Sequence, residues 1–179
     1  MTCIAALTDG KKVYMAGDSE GVAGYDISIR RDEKVFKIGK KMVLGFTSSF
    51  RMGQLLRFNL KPPKHPLGMD SYEYVVTKLI DVVRKTLKDG GFSTTVNGEE
   101  TGGCFLLGYR GRLFRIDEDY QVGESLCGYD SVGCGESYSL GYLHGTKNRK
   151  NKKKIVIDSV KCAEFFSAGV SSPITYCEL

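Results

Sequence analysis

Apolar and polar positions fall along the chain in runs that predict strands, then two helices, strands again, two more helices and a last strand. Residues 2–7 and 12–16 are short apolar runs joined through Asp9-Gly10, a dipeptide suited to the positive φ of a tight hairpin. Residues 19–31 are glycine-rich and then alternate through Tyr25, Ile27 and Ile29, which predicts a loop or irregular hairpin. Residues 34–38 and 41–46 predict a further hairpin turning at Gly39-Lys40. In residues 47–58, Ser48 or Ser49 caps a helix with Met52, Leu55 and Leu56 on its apolar face. Pro62, Pro63 and Pro66 make residues 61–68 a loop. The clearest helix is 71–88, where Tyr72, Val76, Leu79, Ile80, Val83 and Leu87 recur at three- and four-residue spacing, with Asp70 as cap and Gly90-Gly91 as stop.

The second half is read in the same way. Residues 92–101 are polar and loop-like, and 104–109 with 113–116 predict a hairpin turning at Arg110-Gly111. Residues 120–122 and 125–128 predict two short strands, 136–144 a short helix, 156–168 a helix ending at Gly169, and 173–179 a closing strand. Strand runs alternating with helix pairs predict an α+β fold in which two packed sheets carry helices outside. Nothing in the composition breaks the 179 residues into parts, so residues 1–179 are expected to form a single domain.

Composition narrows the function. Apolar residues make up 41%, aromatic 11% and charged 26%, ordinary values for a globular protein. No apolar run approaches the ~20 residues that span a bilayer, and no secretory signal is visible, so a cytoplasmic location is expected. The six cysteines form no CxxC pair and there are only two histidines, which argues against a zinc site and for reduced thiols. The net charge of +5 is concentrated in residues 147–154, which hold six basic residues. That run lacks the interleaved aromatics that stack bases, so it reads as a solvated loop between two helices and not as a nucleic-acid site.

The candidate chemistry lies at the N-terminus. Thr2 follows Met1, and excision of Met1 would give Thr2 a free α-amine beside its own hydroxyl. A threonine hydroxyl is a poor nucleophile without a base, and an α-amine with pKa ~7.7–8.0 can serve as one. Lys34 would favour the developing alkoxide, Asp18 would pair with Lys34, and the Ser48 backbone N–H would receive an oxyanion.

This pattern resembles the proteasome β subunit and HslV branch of the N-terminal-nucleophile (Ntn) hydrolases. The resemblance rests on Thr2 before an apolar strand, on Ala16-Gly17-Asp18-Ser19, on Lys34-Val35, and on the run from Val43 to Ser49 before a helix. It continues more loosely through Gly133-Cys134-Gly135-Glu136-Ser137-Tyr138 and through Ser167-Ala168-Gly169 to the C-terminus. It implies a four-layer αββα sandwich, a threonine-type peptidase acting on unfolded polypeptides, assembly into rings, and an ATPase unfoldase as partner. It implies no cofactor, although a structural cation on backbone carbonyls is placed at Gly169, Ser172 and Thr175. By position, Gly21, Asp32, Phe46 and Phe50 would line the substrate pocket. Cys134 stands where the family has a helper serine, with Ser137 nearby to compensate. Val170 stands where the family has an aspartate, and Ser48 where glycine is usual. Two alternatives stay open: a catalytically weak or inactive ring or scaffold subunit, which Val170 and Cys134 favour, and an Ntn amidase acting on a small amide, which would share Thr2 and the fold.

Overall fold

The computed structural model describes residues 1–24 and 26–179, so the Tyr25 step of the predicted alternation lies outside the described residues. Hairpin β1 (Ile4–Thr8) and β2 (Val13–Gly17) comes first, followed by the small ribbon β3 (Glu20–Ala23) and β4 (Asp26–Ile29). Hairpin β5 (Val35–Ile38) and β6 (Met42–Phe46) leads into helix α1 (Phe50–Phe58), whose Ser49 cap accepts the Arg51 N–H. Helix α2 covers residues 71–89 and is capped by the Asp70 carboxylate on the Tyr72 N–H at 2.7 Å. Its stretch Tyr74–Leu79 is π-helical, which a 3.6-residue period does not predict.

Strands β7 (Thr94–Val96) and β8 (Glu99–Thr101) make a surface ribbon, and β9 (Phe105–Tyr109), β10 (Arg112–Ile116) and β11 (Val122–Glu124) form a meander. Strand β12 (Tyr129–Val132) precedes helices α3 (Glu136–Thr146) and α4 (Lys152–Phe166), and β13 (Thr175–Glu178) closes the chain. One sheet has the order β12-β1-β2-β13 and the other β11-β10-β9-β6-β5.

Period-two alternation divides the apolar side chains among three layers. Ile4, Ala6, Val13 and Met15 of the first sheet meet Val35, Val43, Leu106 and Leu113 of the second. The opposite face of β1, with Ala5 and Leu7, packs under α3 and α4 against Leu143, Val156 and Val160. Leu44 and Phe46 of β6 and Leu107 of β9 pack under α1 and α2 against Leu56, Leu79 and Val83. These three layers separate helices, sheet, sheet and helices, as an αββα sandwich requires. The sheets approach so closely that a Cβ on Gly45 would lie 2.5 Å from the Ile4 side chain. Among the described residues no helix is long and apolar enough to cross a membrane.

Several boundaries differ from expectation. The polar segment 92–101 is a hairpin around Asn97-Gly98, whose φ values of 53° and 86° are those of a tight primed turn. Its strand residues Thr94, Thr95 and Val96 are all exposed, so no apolar face announces it. The strand expected at 120–122 starts at Val122, because Tyr120 has φ 66°. Residues 125–128 turn instead of extending, with the Gly128 N–H on the Ser125 carbonyl, and β12 follows them. The basic run is not all loop: Lys152, Lys153 and Lys154 form the first turn of α4, capped by Asn151. That helix ends at Phe166, short of Gly169.

Candidate active site

Gly17 pairs with Ile4 across the β1–β2 ladder, and this register sets Asp18 beside Cys3 at the end of the two central strands of the first sheet. Asp18 is completely buried. Its Oδ1 accepts the Cys3 N–H at 2.9 Å and its Oδ2 accepts the Glu20 N–H at 3.0 Å. Lys34 enters from the other sheet, one residue before β5, and its carbonyl is tied to the Phe46 N–H. Its ammonium, 1% exposed, lies 2.8 Å from Asp18 Oδ2 and 3.0 Å from Thr2 Oγ1. Thr2 is itself 4% exposed. The three residues separated in sequence therefore meet where the two sheets abut.

The carboxylate is fixed from two sides by backbone and holds the lysine charge, which would otherwise be costly at this depth. The ammonium donates to the threonine oxygen, so negative charge on that oxygen is favoured. With Met1 in place the Thr2 nitrogen is an amide and offers no basic lone pair. Its N–H points to Cys134 Sγ at 3.3 Å, and the Thr2 hydroxyl donates to the Met1 carbonyl, which also accepts from Lys34 at 3.3 Å.

The turn before α3 brings in Cys134. Gly133 has φ 103°, and a Cβ there would come within 2.3 Å of the Thr2 carbonyl oxygen, so only glycine permits this approach. The same carbonyl accepts the Gly135 N–H at 3.3 Å. Cys134 Sγ also lies 3.4 Å from the carbonyls of Thr2 and Gly169, and the Ser167 hydroxyl donates to it at 3.6 Å. One weak S–H donor cannot serve both carbonyls at once. Ser137, expected to compensate, is exposed on α3 and makes no hydrogen bond with Thr2; Ser167 is the nearby hydroxyl. Burial pushes the Cys3 thiol up to about 12, which keeps it neutral beside Asp18. Val170 is buried against α4 among apolar neighbours. The Glu20 carboxylate is buried with no hydrogen-bond partner among the described residues, and nothing in the structure explains it.

A cavity of about 200 Å3 opens beside Thr2, lined by Gly21, Val22, Arg30, Phe46, Ser48 and Phe50 among others. Ser48 sits at φ 69°, and its hydroxyl accepts the Cys104 N–H at 3.2 Å. Asp32, expected in this pocket, instead lines an adjoining cavity of about 270 Å3 with Phe36, Phe46, Phe50 and Gln54. The reason is Arg30, which the sequence reading missed. Its guanidinium stacks 3.8 Å from the Phe50 ring centre and grips both Asp32 oxygens at 2.8 and 2.6 Å. That grip pulls the Asp32 carboxyl below its ordinary range. The Arg-x-Asp spacing was the available signal, two opposite charges two residues apart across the bend that follows β4.

The three positions expected to hold a cation make bonds within the chain. The Gly169 carbonyl faces Cys134, the Ser172 N–H and hydroxyl both bond Glu164, and the Thr175 hydroxyl donates to the Gly17 carbonyl at 3.2 Å. Among the described residues no three His, Cys, Asp or Glu side chains are grouped to hold a metal.

No protein-family model matches the chain, and no curated protein matches it in sequence. Solved structures do match. Thiobacillus denitrificans BPH in complex with epoxomicin is 16% identical, with a TM-score of 0.80 over 99% of this chain and 98% of that one. The eukaryotic HslV of Trypanosoma brucei is 15% identical, with a TM-score of 0.72 over 99% and 98%. Anbu, the ancestral β-subunit from Yersinia bercovieri, is 20% identical, with a TM-score of 0.68 over 99% of this chain and 81% of that one. Over nearly its whole length, this chain therefore has the fold of the proteasome-β-like Ntn hydrolases.

Proposed function

We propose that the chain is a threonine-type peptidase subunit that cleaves unfolded polypeptides through an acyl-enzyme on Thr2 after Met1 is removed. The observation that carries this reading is the Lys34 ammonium, buried between Asp18 Oδ2 at 2.8 Å and Thr2 Oγ1 at 3.0 Å. An isolated surface lysine would need neither contact.

Loss of Met1 turns the Thr2 amide into an amine. In its neutral form the amine takes the hydroxyl proton as Oγ1 attacks the scissile carbonyl. Lys34 lowers the energy of the alkoxide, and the Ser48 N–H receives the oxyanion. Collapse expels the substrate amine with the transferred proton and leaves an ester on Thr2. The amine then deprotonates the water that releases the acyl product. The chain carries no GxxxxGK[ST] sequence, so energy for unfolding would come from an ATPase partner, and self-association into rings would enclose the site.

A second reading is favoured by one observation. Cys134 stands on the Thr2 nitrogen as a weak sulfur partner where an oxygen would bond more strongly, which suits a subunit that has lost turnover. The two readings separate on one experiment. Intact mass should show Thr2 as the first residue, and a peptide epoxyketone should label it but not a Thr2→Ala variant. Labelling should accelerate as pH rises and the Thr2 α-amine loses its proton, because the neutral amine is the base. Processed protein that resists the probe would favour the inactive subunit, and retained Met1 would exclude the Thr2 mechanism. Light scattering would show whether rings form.

A further inference from the structure

The charges that line the Thr2 cavity are of one sign. Arg30 and Lys34 line it, and among the described residues no aspartate or glutamate does. Lys34 is committed to Asp18 and to Thr2 Oγ1, so the charge that an incoming side chain meets is Arg30. Ser48, whose N–H would receive the oxyanion, lines the same cavity. The side chain of the residue under attack branches from the carbon next to its carbonyl, and so enters this space.

Arg30 is paired, but the pair is polarised across a wall. Its Nε and Nη2 bond the two Asp32 oxygens, while Nη1 has no hydrogen-bond partner among the described residues. Arg30 lines the Thr2 cavity and not its neighbour, whereas Asp32 lines the neighbour and not the Thr2 cavity. Phe46 and Phe50 line both cavities and form the wall between them. The Phe50 ring lies 3.8 Å from the guanidinium carbon and holds it by a cation–π contact. Phe46 packs so closely on α1 that a Cβ on Gly53 would fall 2.2 Å from its ring. A side chain entering beside Thr2 therefore meets the positive end of the pair and is screened from Asp32 by two phenyl rings. Hydroxyl donors add to this bias. Ser48 and Ser49 each accept a backbone N–H, from Cys104 at 3.2 Å and from Arg51 at 3.1 Å, and each keeps its own proton to donate. Both residues line the cavity.

We propose that Arg30 sets the specificity of the site: the substrate residue whose carbonyl Thr2 attacks carries a carboxylate, as glutamate or aspartate. A carboxylate accepts from the Arg30 Nη1 edge and from the serine hydroxyls, a charge-assisted arrangement. An apolar side chain would cover those donors without pairing them, and a basic one would meet two like charges. The inference rests on the Thr2 peptidase reading and goes beyond it in naming the side chain selected.

Three peptide epoxyketones that differ only in the residue next to the reactive group, glutamate, leucine or lysine, test this on the Met1-processed full chain. The glutamyl probe should label Thr2 at least tenfold faster than the leucyl probe, and the lysyl probe should be slowest. Arg30→Met, which keeps an unbranched chain over Phe50 without the charge, should cut the glutamyl-to-leucyl ratio at least tenfold. Its labelling by the leucyl probe reports that the site still forms. Arg57→Met removes a cation that lines the adjoining cavity and not this one, and should leave the ratio within twofold. A leucyl or lysyl probe as fast as the glutamyl probe would overturn the specificity and leave the peptidase reading standing. A ratio unmoved by Arg30→Met, or moved equally by Arg57→Met, would do the same. Thr2 unlabelled by all three probes would overturn both readings.

Discussion

The β5–β6 hairpin has lysines at both ends, and they are treated in opposite ways. At the Thr2 end, Lys34 is buried between the sheets and held by Asp18. At the turn end, Lys40 and Lys41 are exposed and unpaired among the described residues. A charge in water needs no partner, whereas a charge removed from water is tolerated only when paired and hydrogen-bonded. The same side chain on the same hairpin is thus a structural commitment at one end and an available charge at the other. A backbone contrast runs in parallel, since Ser48 and Arg110 both hold positive φ but only Ser48 has a side-chain bond to a neighbouring strand.

The largest effect is expected from breaking the buried pair. Asp18→Asn leaves the Lys34 charge without its counter-ion and should destabilise the fold by about 3–5 kcal/mol in urea denaturation. A loss below ~1 kcal/mol would mean that the pair is solvated, and the contrast between the two ends would collapse. Lys34→Ala should slow epoxyketone labelling of Thr2 by about 10²–10³-fold, the range for removing one preorganised electrostatic donor. Cys134→Ser replaces a weak sulfur acceptor with oxygen at the Thr2 nitrogen and should speed labelling several-fold. That gain corresponds to about 0.5–1.5 kcal/mol for a hydrogen bond. Arg110→Gly should raise stability by about 1 kcal/mol, while Ser48→Gly should stay nearer zero because it also loses the bond from the Cys104 N–H. Lys40→Ala/Lys41→Ala should shift stability by less than about 0.5 kcal/mol.

Where a side chain must choose between water and core, the sequence showed the choice. Ile4 and Ala6 alternate with Ala5 and Leu7, and α2 repeats its apolar positions at helical spacing, so strands, helices and layers could be read directly. The β7–β8 ribbon was illegible by that route because its strand residues remain largely exposed and only Asn97-Gly98 marks it. The position of β12, expected at 125–128, was likewise misplaced. Its apolar content is slight; the late start of β11 was equally unreadable, because the positive φ of Tyr120 comes from the turn it occupies and not from its residue type.

The site divides along the same line. Thr2, Asp18, Lys34 and Ser48 were singled out by the joint resemblance of their types and spacing to a known family, since taken singly a Gly-Asp-Ser turn and a lysine are ordinary surface features. Pairings that depend on how separate segments converge had to wait for the tertiary structure. Ser167 takes the place beside Cys134 that Ser137 was expected to fill, and the proline loop meets the Arg110 turn over buried tyrosines. Sequence patterning by itself determined which faces are buried, since transfer from water is a property of each side chain. Only the packing of the two sheets decided which charges meet, since a Coulomb contact depends on distances that no local pattern encodes.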